Sequence, residues 1–216
     1  MKIYYFTYGT IAITTLLSLL AFQSRTIADR MIFSTSKILE EHEYHRIITS
    51  MFIHAGPGHF VFNMFSFYSF SMVVEFHYGL KAAALIYFAS GIGGSLLSLL
   101  LNRKNMSYLA LGASGAVSGI IFSSIFLVPG GSVYIFFIPI AIPAWAFGIL
   151  FVLSSIYGID RNVGNIGHDA HLGGALTGVA VTGILYPNAL AANYFLLAGI
   201  SVPALIFLVY VHFKVR

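Results

Sequence analysis

Seven long apolar stretches take up most of this chain, near residues 4–22, 58–78, 81–101, 113–129, 138–158, 169–186 and 191–212. A helix that crosses a bilayer needs about 20 mostly apolar residues, and each stretch approaches that length. The fourth is short, and the fifth carries Pro139 and Pro143. Of the 216 residues, 58% are hydrophobic and 8% charged, where a soluble domain carries roughly a quarter charged. Lipid is therefore the expected solvent. The expected fold class is an all-α membrane protein, with one domain over 1–216, a core over about 4–186 and an extra C-terminal span over about 191–212.

The first stretch has a charged start at Lys2 but no small-residue cleavage site after it, so it is expected to stay as an anchor. Cysteine is absent, which excludes disulfides, a thiolate nucleophile and a cysteine metal site. The formal charge of +4 is dispersed and forms no basic stripe. No nucleic-acid partner is expected; anionic membrane lipids are. The one sizeable polar stretch, 24–57, mixes charges with Met31, Ile32, Phe33, Ile38 and Leu39, a pattern that suits short helices lying in the interface.

Polar residues open three of the spans, where lipid disfavours them. One segment reads Gly112-Ala113-Ser114-Gly115, another Ala170-His171-Leu172-Gly173-Gly174, and a third runs from His59 to Asn63. Serine becomes a nucleophile when a base takes its proton, and histidine is the usual base. Acyl transfer builds negative charge on a carbonyl oxygen, which fixed donors must stabilise. His59 and Asn63 are four apart and share a helix face. With the N–H of Ser114 at a helix start, they compose an oxyanion hole. Bringing Ser114 to His171 needs closely approaching backbones. Gly115 with Gly119, and Gly174 with Gly178, are small residues four apart that permit this. Asp169 lies two residues before His171, on a different helix face, so a Ser–His dyad is preferred to a triad. His168, His171, His54 and His59 raise a zinc reading, but no His-Glu-x-x-His motif is present and carboxylates are scarce. No metal and no cofactor are expected.

At these residues the chain resembles the rhomboid family of intramembrane serine proteases. Gly112-Ala113-Ser114-Gly115 is similar to its Gly-x-Ser-Gly motif, Ala170 to Gly174 to its Ala-His-x-x-Gly motif, and His59 to Asn63 to its His-x-x-x-Asn motif. Glu75 and Gly79 fall where the family often has Glu and Gly. The resemblance runs from about residue 40 to 186. It implies a six-helix core plus one further span. It also implies Ser114 as nucleophile, His171 as general base, and His59, Asn63 and the Ser114 N–H around the oxyanion. His54 and Arg46 are supporting residues of the first loop. The substrates implied are transmembrane proteins, cut where a helix unwinds.

Two departures stand out. The Trp-Arg of many members is here His45-Arg46, and with Arg46 kept the loop fold is expected to survive. The aromatic residue that some members place one turn after the serine is here Ser118, which leaves the histidine either held less rigidly or packed by another ring such as Phe122. Orientation sets two rules against each other. The family pattern opens the site to the non-cytosolic side, of a bacterial plasma membrane on this reading. That puts nine of the eleven Lys and Arg outside, all but Lys2 and Lys81, against the positive-inside rule. The motifs are more specific than loop charge, and the family orientation is the expectation. The rival readings are a catalytically silent relative that binds transmembrane helices, and a small channel or transporter.

Overall fold

A computed structural model describes residues 4–134, 140–161, 163–164 and 166–215, without the side chains of 212, 214 and 215. The helices are α1 (Tyr5–Gln23), α2 (Arg25–Met31), α3 (Thr35–Leu39), α4 (Arg46–Thr49), α5 (Pro57–Asn102), α6 (Ser114–Leu127), α7 (Ala144–Arg161), α8 (His168–Leu185), α9 (Pro187–Ala191) and α10 (Tyr194–Val215). Two short antiparallel pairs accompany them. β1 (Phe33–Ser34) pairs with β2 (Leu109–Ala110), and β3 (Ser132–Tyr134) with β4 (Ala141–Pro143).

The burial pattern is that of a protein in lipid. On α1 the residues turned inward are Thr7, Thr10, Thr14 and Ser18, while Ile13 is 53% and Leu16 59% exposed. Leu150 on α7 and Leu205 on α10 are likewise outward, at 61% and 58%. In water this arrangement would forfeit the burial of every one of those side chains, at roughly 1.5–3 kcal/mol each. Among the described residues α1, α5, α7 and α10 are long and apolar enough to cross a membrane. The chain is thus a mostly helical, multi-pass membrane protein.

Helix α5 contains two of the expected spans. Its backbone breaks at Gly79, whose φ of +84° is open to glycine but strained for other residues. The rings of Phe67 and Tyr87 are 4.9 Å apart, whereas a straight helix would hold them about 30 Å apart. The chain therefore doubles back at Gly79 into limbs 57–78 and 80–102. Just before the turn, Glu75 accepts from the N–H groups of Phe6 (3.0 Å) and Thr7 (2.9 Å) and from the Thr7 hydroxyl (2.7 Å). These are orphan donors of the first turn of α1, and a carboxylate suits the positive end of its dipole. The supporting role expected of Glu75 is a tie between α1 and α5.

Helices α6 and α8 form the centre with α5. Residues 115–127 of α6 are all buried, so this short helix is walled off from lipid. Small residues make the contact. A Cβ on Gly174 would collide with the Gly115 carbonyl oxygen, and one on Gly178 would lie 2.5 Å from Gly119 Cα. The two glycine pairs expected from sequence thus face each other across one crossing.

The fifth span begins later than its apolar run. Helix α7 starts at Ala144, and 141–143 form β4, with Ile142 opposite Val133. An apolar β-branched run reads alike as strand or buried helix. Pro143 stands just before the helix, where its missing N–H costs little; Pro139 lies outside the described residues. The last span is also shifted, because Pro187–Ala191 makes its own short helix before α10.

Loop 24–57 folds into α2, α3, α4 and one 3-10 turn. Arg46 is 4% exposed and organises it. Its Nη1 donates to the carbonyls of Asp29 (2.6 Å) and Ile32 (2.8 Å), and its guanidinium pairs with Glu43. That hydrogen bond holds the Glu43 carboxyl below the usual carboxylate range.

Candidate active site

Ser114 is the first residue of α6, His171 the fourth of α8 and His59 the third of α5. Ser114 and His59 stand where helix N–H groups lack intrahelical partners, whereas His171 N–H closes the first bond of α8 onto the Gly167 carbonyl at 3.0 Å. On α6 the first closed bond runs from Val117 N–H to the Ala113 carbonyl at 2.9 Å. The helix therefore leaves the N–H groups of Ser114, Gly115 and Ala116 open, at the positive end of its dipole.

The glycine crossing juxtaposes the serine and histidine segments. A Cβ on Gly115 would be 3.1 Å from the Ala170 carbonyl oxygen, and Gly174 packs on the Gly115 carbonyl. The neighbours in sequence of Ser114 and His171 are therefore in backbone contact. Among the described residues no hydrogen bond joins Ser114 Oγ to the His171 ring. Ser118, the position of the missing aromatic, donates to the Ser114 carbonyl at 2.8 Å.

His59 lies against the loop that enters α6. Gly112 has φ +125°, and a Cβ there would be 2.6 Å from His59 Cε1. Only a residue without a side chain lets the ring sit so close. Asn63 is 3% exposed, and its amide donates to the His59 carbonyl at 3.0 Å. His59 is thus at the mouth of α6, while the Asn63 amide is engaged with its own helix.

His54 supports the same loop. Its Nε2 accepts from Ala113 N–H at 3.3 Å, and its Nδ1 is 3.0 Å from Ser18 Oγ. Ser18 donates to the Phe52 carbonyl at 3.0 Å, so its oxygen accepts from Nδ1–H. That order fixes the neutral tautomer with the proton on Nδ1. Burial, and secondarily His59 beside it, push the His54 pKa down to about 3. Gly112 N–H is held by the Ser50 carbonyl at 2.9 Å. The backbone of 112–113 is therefore pinned at both residues immediately before Ser114.

The ring beside His171 is Phe151 of α7, at 5.9 Å and 35°. Phe122, the expected partner, instead backs Phe151 at 5.4 Å. Phe122 lies two turns into α6, too deep to reach a histidine at the start of α8, and α7 fills the gap. Asp169 is engaged elsewhere than with His171. Its carboxylate accepts from Asn102 Nδ2 (2.6 Å) and Tyr108 Oη (3.0 and 2.9 Å). Burial first, and then the Asp169 charge, raise the Tyr108 pKa.

Sequence reading missed Phe151, Tyr108, Asn102, Ser18 and Ser50. Only Ser18 left a trace, in the polar stripe of Thr7, Thr10, Thr14 and Ser18 along an otherwise apolar helix.

Known proteins share this arrangement of sequence. The chain is 35% identical over 151 residues to "RHOMBOID-like protein 12, mitochondrial" of Arabidopsis thaliana, covering 61% of this chain and 43% of that one. It is 34% identical over 164 residues to "RHOMBOID-like protein 1" of the same plant, covering 74% and 39%. To "Rhomboid protease GluP" of Bacillus subtilis (strain 168) it is 29% identical over 171 residues, covering 79% and 32%. The chain spans about two fifths of the length of the first two relatives. A mitochondrial protein stands beside a bacterial one, so the comparisons do not support a bacterial plasma membrane in particular. Residues 41–188 match the Rhomboid domain family. That stretch holds the Arg46 loop, the doubled-back α5 and the α6–α8 crossing, and on this match the chain belongs to the rhomboid family.

Proposed function

We propose that this chain is an intramembrane serine endopeptidase that cleaves transmembrane-helix substrates by a Ser114–His171 dyad, without metal or cofactor. The observation that carries the reading is the glycine-lined contact of Gly115 with Ala170 and Gly174, which brings the Ser114 and His171 backbones together. His171 takes the Ser114 proton as Oγ attacks the scissile carbonyl. The oxyanion forms toward the open N–H groups at the start of α6 and the His59 ring, with Asn63 turning from its own helix to join them. His171 then returns the proton to the leaving amine, and water releases the acyl group by the same steps. Gly112, Gly115, Gly174 and Gly178 permit the close approach, while His54, Arg46 and Glu75 hold the surrounding loop and helices. The likeness to a protein named as a protease supports the reading.

The reading takes 1–216 as one domain of six spans plus α10. It places the site on the non-cytosolic side of its membrane. A reporter fused after Arg216 tests the orientation: a cytosolic signal would overturn it. In liposomes with a panel of model transmembrane substrates, wild type should cleave while Ser114→Ala and His171→Ala should not. Cleavage retained in clean Ser114→Ala would refute the dyad. The rival, a silent rhomboid-like protein that binds transmembrane helices, keeps neither residue under chemical constraint, and both are present.

A further inference from the structure

Asp169 is a buried carboxylate that the proposed chemistry leaves without a use. It is 6% exposed, on the first turn of α8 and two residues before His171. Neutral donors from three stretches of chain converge on it. Asn102 Nδ2, at the end of α5, donates to Oδ2 at 2.6 Å. The Tyr108 hydroxyl is 3.0 and 2.9 Å from the two oxygens. The Ala170 N–H, immediately before His171, donates to Oδ1 at 2.8 Å. A buried carboxylate stripped of such donors is costly, so the start of α8 is tied to α5 and to the loop after it.

Tyr108 carries that tie to the serine. Between it and Ser114 the backbone is held at almost every step. The Tyr108 carbonyl accepts from Thr35 N–H at 3.2 Å, Leu109 and Ala110 pair with Ser34 and Phe33, and Gly112 and Ala113 donate to Ser50 and His54. The hydroxyl on Asp169 therefore belongs to a splinted segment that ends at Ser114. The rest of α8 meets its neighbours through glycines. Ala170 and Gly174 face Gly115 of α6, while Gly173, four after Asp169 and on its face, lies on Gly93 and Leu97 of α5. Glycine faces present no side-chain ridge to resist a roll of the helix about its axis. At the roughly 6 Å radius of a helix with its side chains, a roll of about 10° carries the His171 ring about 1 Å, and such a shift costs about a hundredfold in rate.

We propose that Asp169, bonded to Tyr108 and Asn102, is a positioning residue that stops α8 from rolling and so sets the His171 ring against Ser114. The inference rests on the proposed dyad. The glycine crossing brings the two backbones together, and the carboxylate fixes the angle at which α8 presents its histidine.

The test is the rate at which a fluorophosphonate labels Ser114 in detergent, a reaction that needs no natural substrate. Varying its concentration separates reagent affinity from the rate of the bound step. Tyr108→Phe deletes the hydroxyl and Asp169→Ala the carboxylate. Each should slow the bound step about tenfold, part of what a 1 Å shift costs, and leave reagent affinity unchanged. The double variant should be no slower than Asp169→Ala, because Tyr108 acts through that carboxylate. Tyr78→Phe is the control. It removes the same kind of hydroxyl from a bond to the Leu127 carbonyl (2.8 Å) at the far end of α6, and should lower the melting temperature as Tyr108→Phe does while labelling at the wild-type rate. Tyr108→Phe carries the test if Asp169→Ala does not fold. Tyr108→Phe labelling as fast as Tyr78→Phe, a loss confined to reagent affinity, or losses that multiply in the double variant would overturn the proposal. Folded wild type that labels no faster than Ser114→Ala would instead overturn the dyad, and this inference with it.

Discussion

Replacing Gly174 by alanine adds one methyl group at the point where α6 and α8 touch. The new Cβ would meet the Gly115 carbonyl oxygen, with its carbon and Cα just behind. These are backbone atoms and cannot swing aside. An ordinary carbon–oxygen contact is about 3.3 Å, so the helices must separate by roughly 1 Å. Overpacking of this kind costs about 1–3 kcal/mol. A misplacement of 1 Å near reacting groups costs about a hundredfold in rate. A hundredfold corresponds to about 2.7 kcal/mol, so loss of labelling at Ser114 should be as large as the loss of stability. Other glycines provide an internal scale. Gly178→Ala meets Gly119 Cα at 2.5 Å and Gly115→Ala meets the Ala170 carbonyl at 3.1 Å, while Gly9 on α1 has nothing within 4 Å. Gly9→Ala should be neutral or stabilising by up to about 1 kcal/mol. Labelling rate and melting temperature, measured for all four, should fall in the order Gly174, Gly178, Gly115, Gly9. Gly174→Ala that melts and labels like Gly9→Ala would refute the account of the crossing.

Three further predictions test the supports. Glu75→Gln faces an amide NH2 toward N–H donors of Phe6 and Thr7 and should cost about 1–3 kcal/mol; an unchanged melting temperature would contradict the tie to α1. Phe151→Ala removes the ring beside His171 and the packing on Phe122, and should cost about 3 kcal/mol together with slower labelling; normal labelling would release His171 from α7. His54 binds its proton near pH 6.5 when unfolded and near 3 when folded. The unfolded state thus holds more protons between these values, and stability falls as pH drops from 6.5 toward 3. His54→Gln, measured by denaturation at pH 7 and pH 4, should lose less on acidification than wild type, and an equal loss would place His54 in water.

The sequence made the proposed site residues legible because lipid is intolerant of polar side chains. Ser114, His171, His59 and Asn63 stand out against apolar surroundings, and glycines spaced by four mark the close crossing. What it hid depends on how distant elements meet. Phe151 is one of twenty phenylalanines, and nothing local distinguishes it from those facing lipid. Tyr108 and Asn102 reach Asp169 only because the end of α5 and the following loop return over the start of α8. His168 drew no role from the sequence, because spacing alone does not say which way two rings face. The start of α7 was misread for a local reason, since the β-branched Ile142 before Pro143 suits a strand and a helix equally.

In the proposed mechanism Ser114 is nucleophilic because His171 is beside it. Mass spectrometry of the chain after fluorophosphonate treatment in detergent reads this directly. An adduct should form on Ser114 in wild type and none in His171→Ala of equal stability; an adduct formed equally in both, or on neither while the fold is intact, would rule the proposed dyad out.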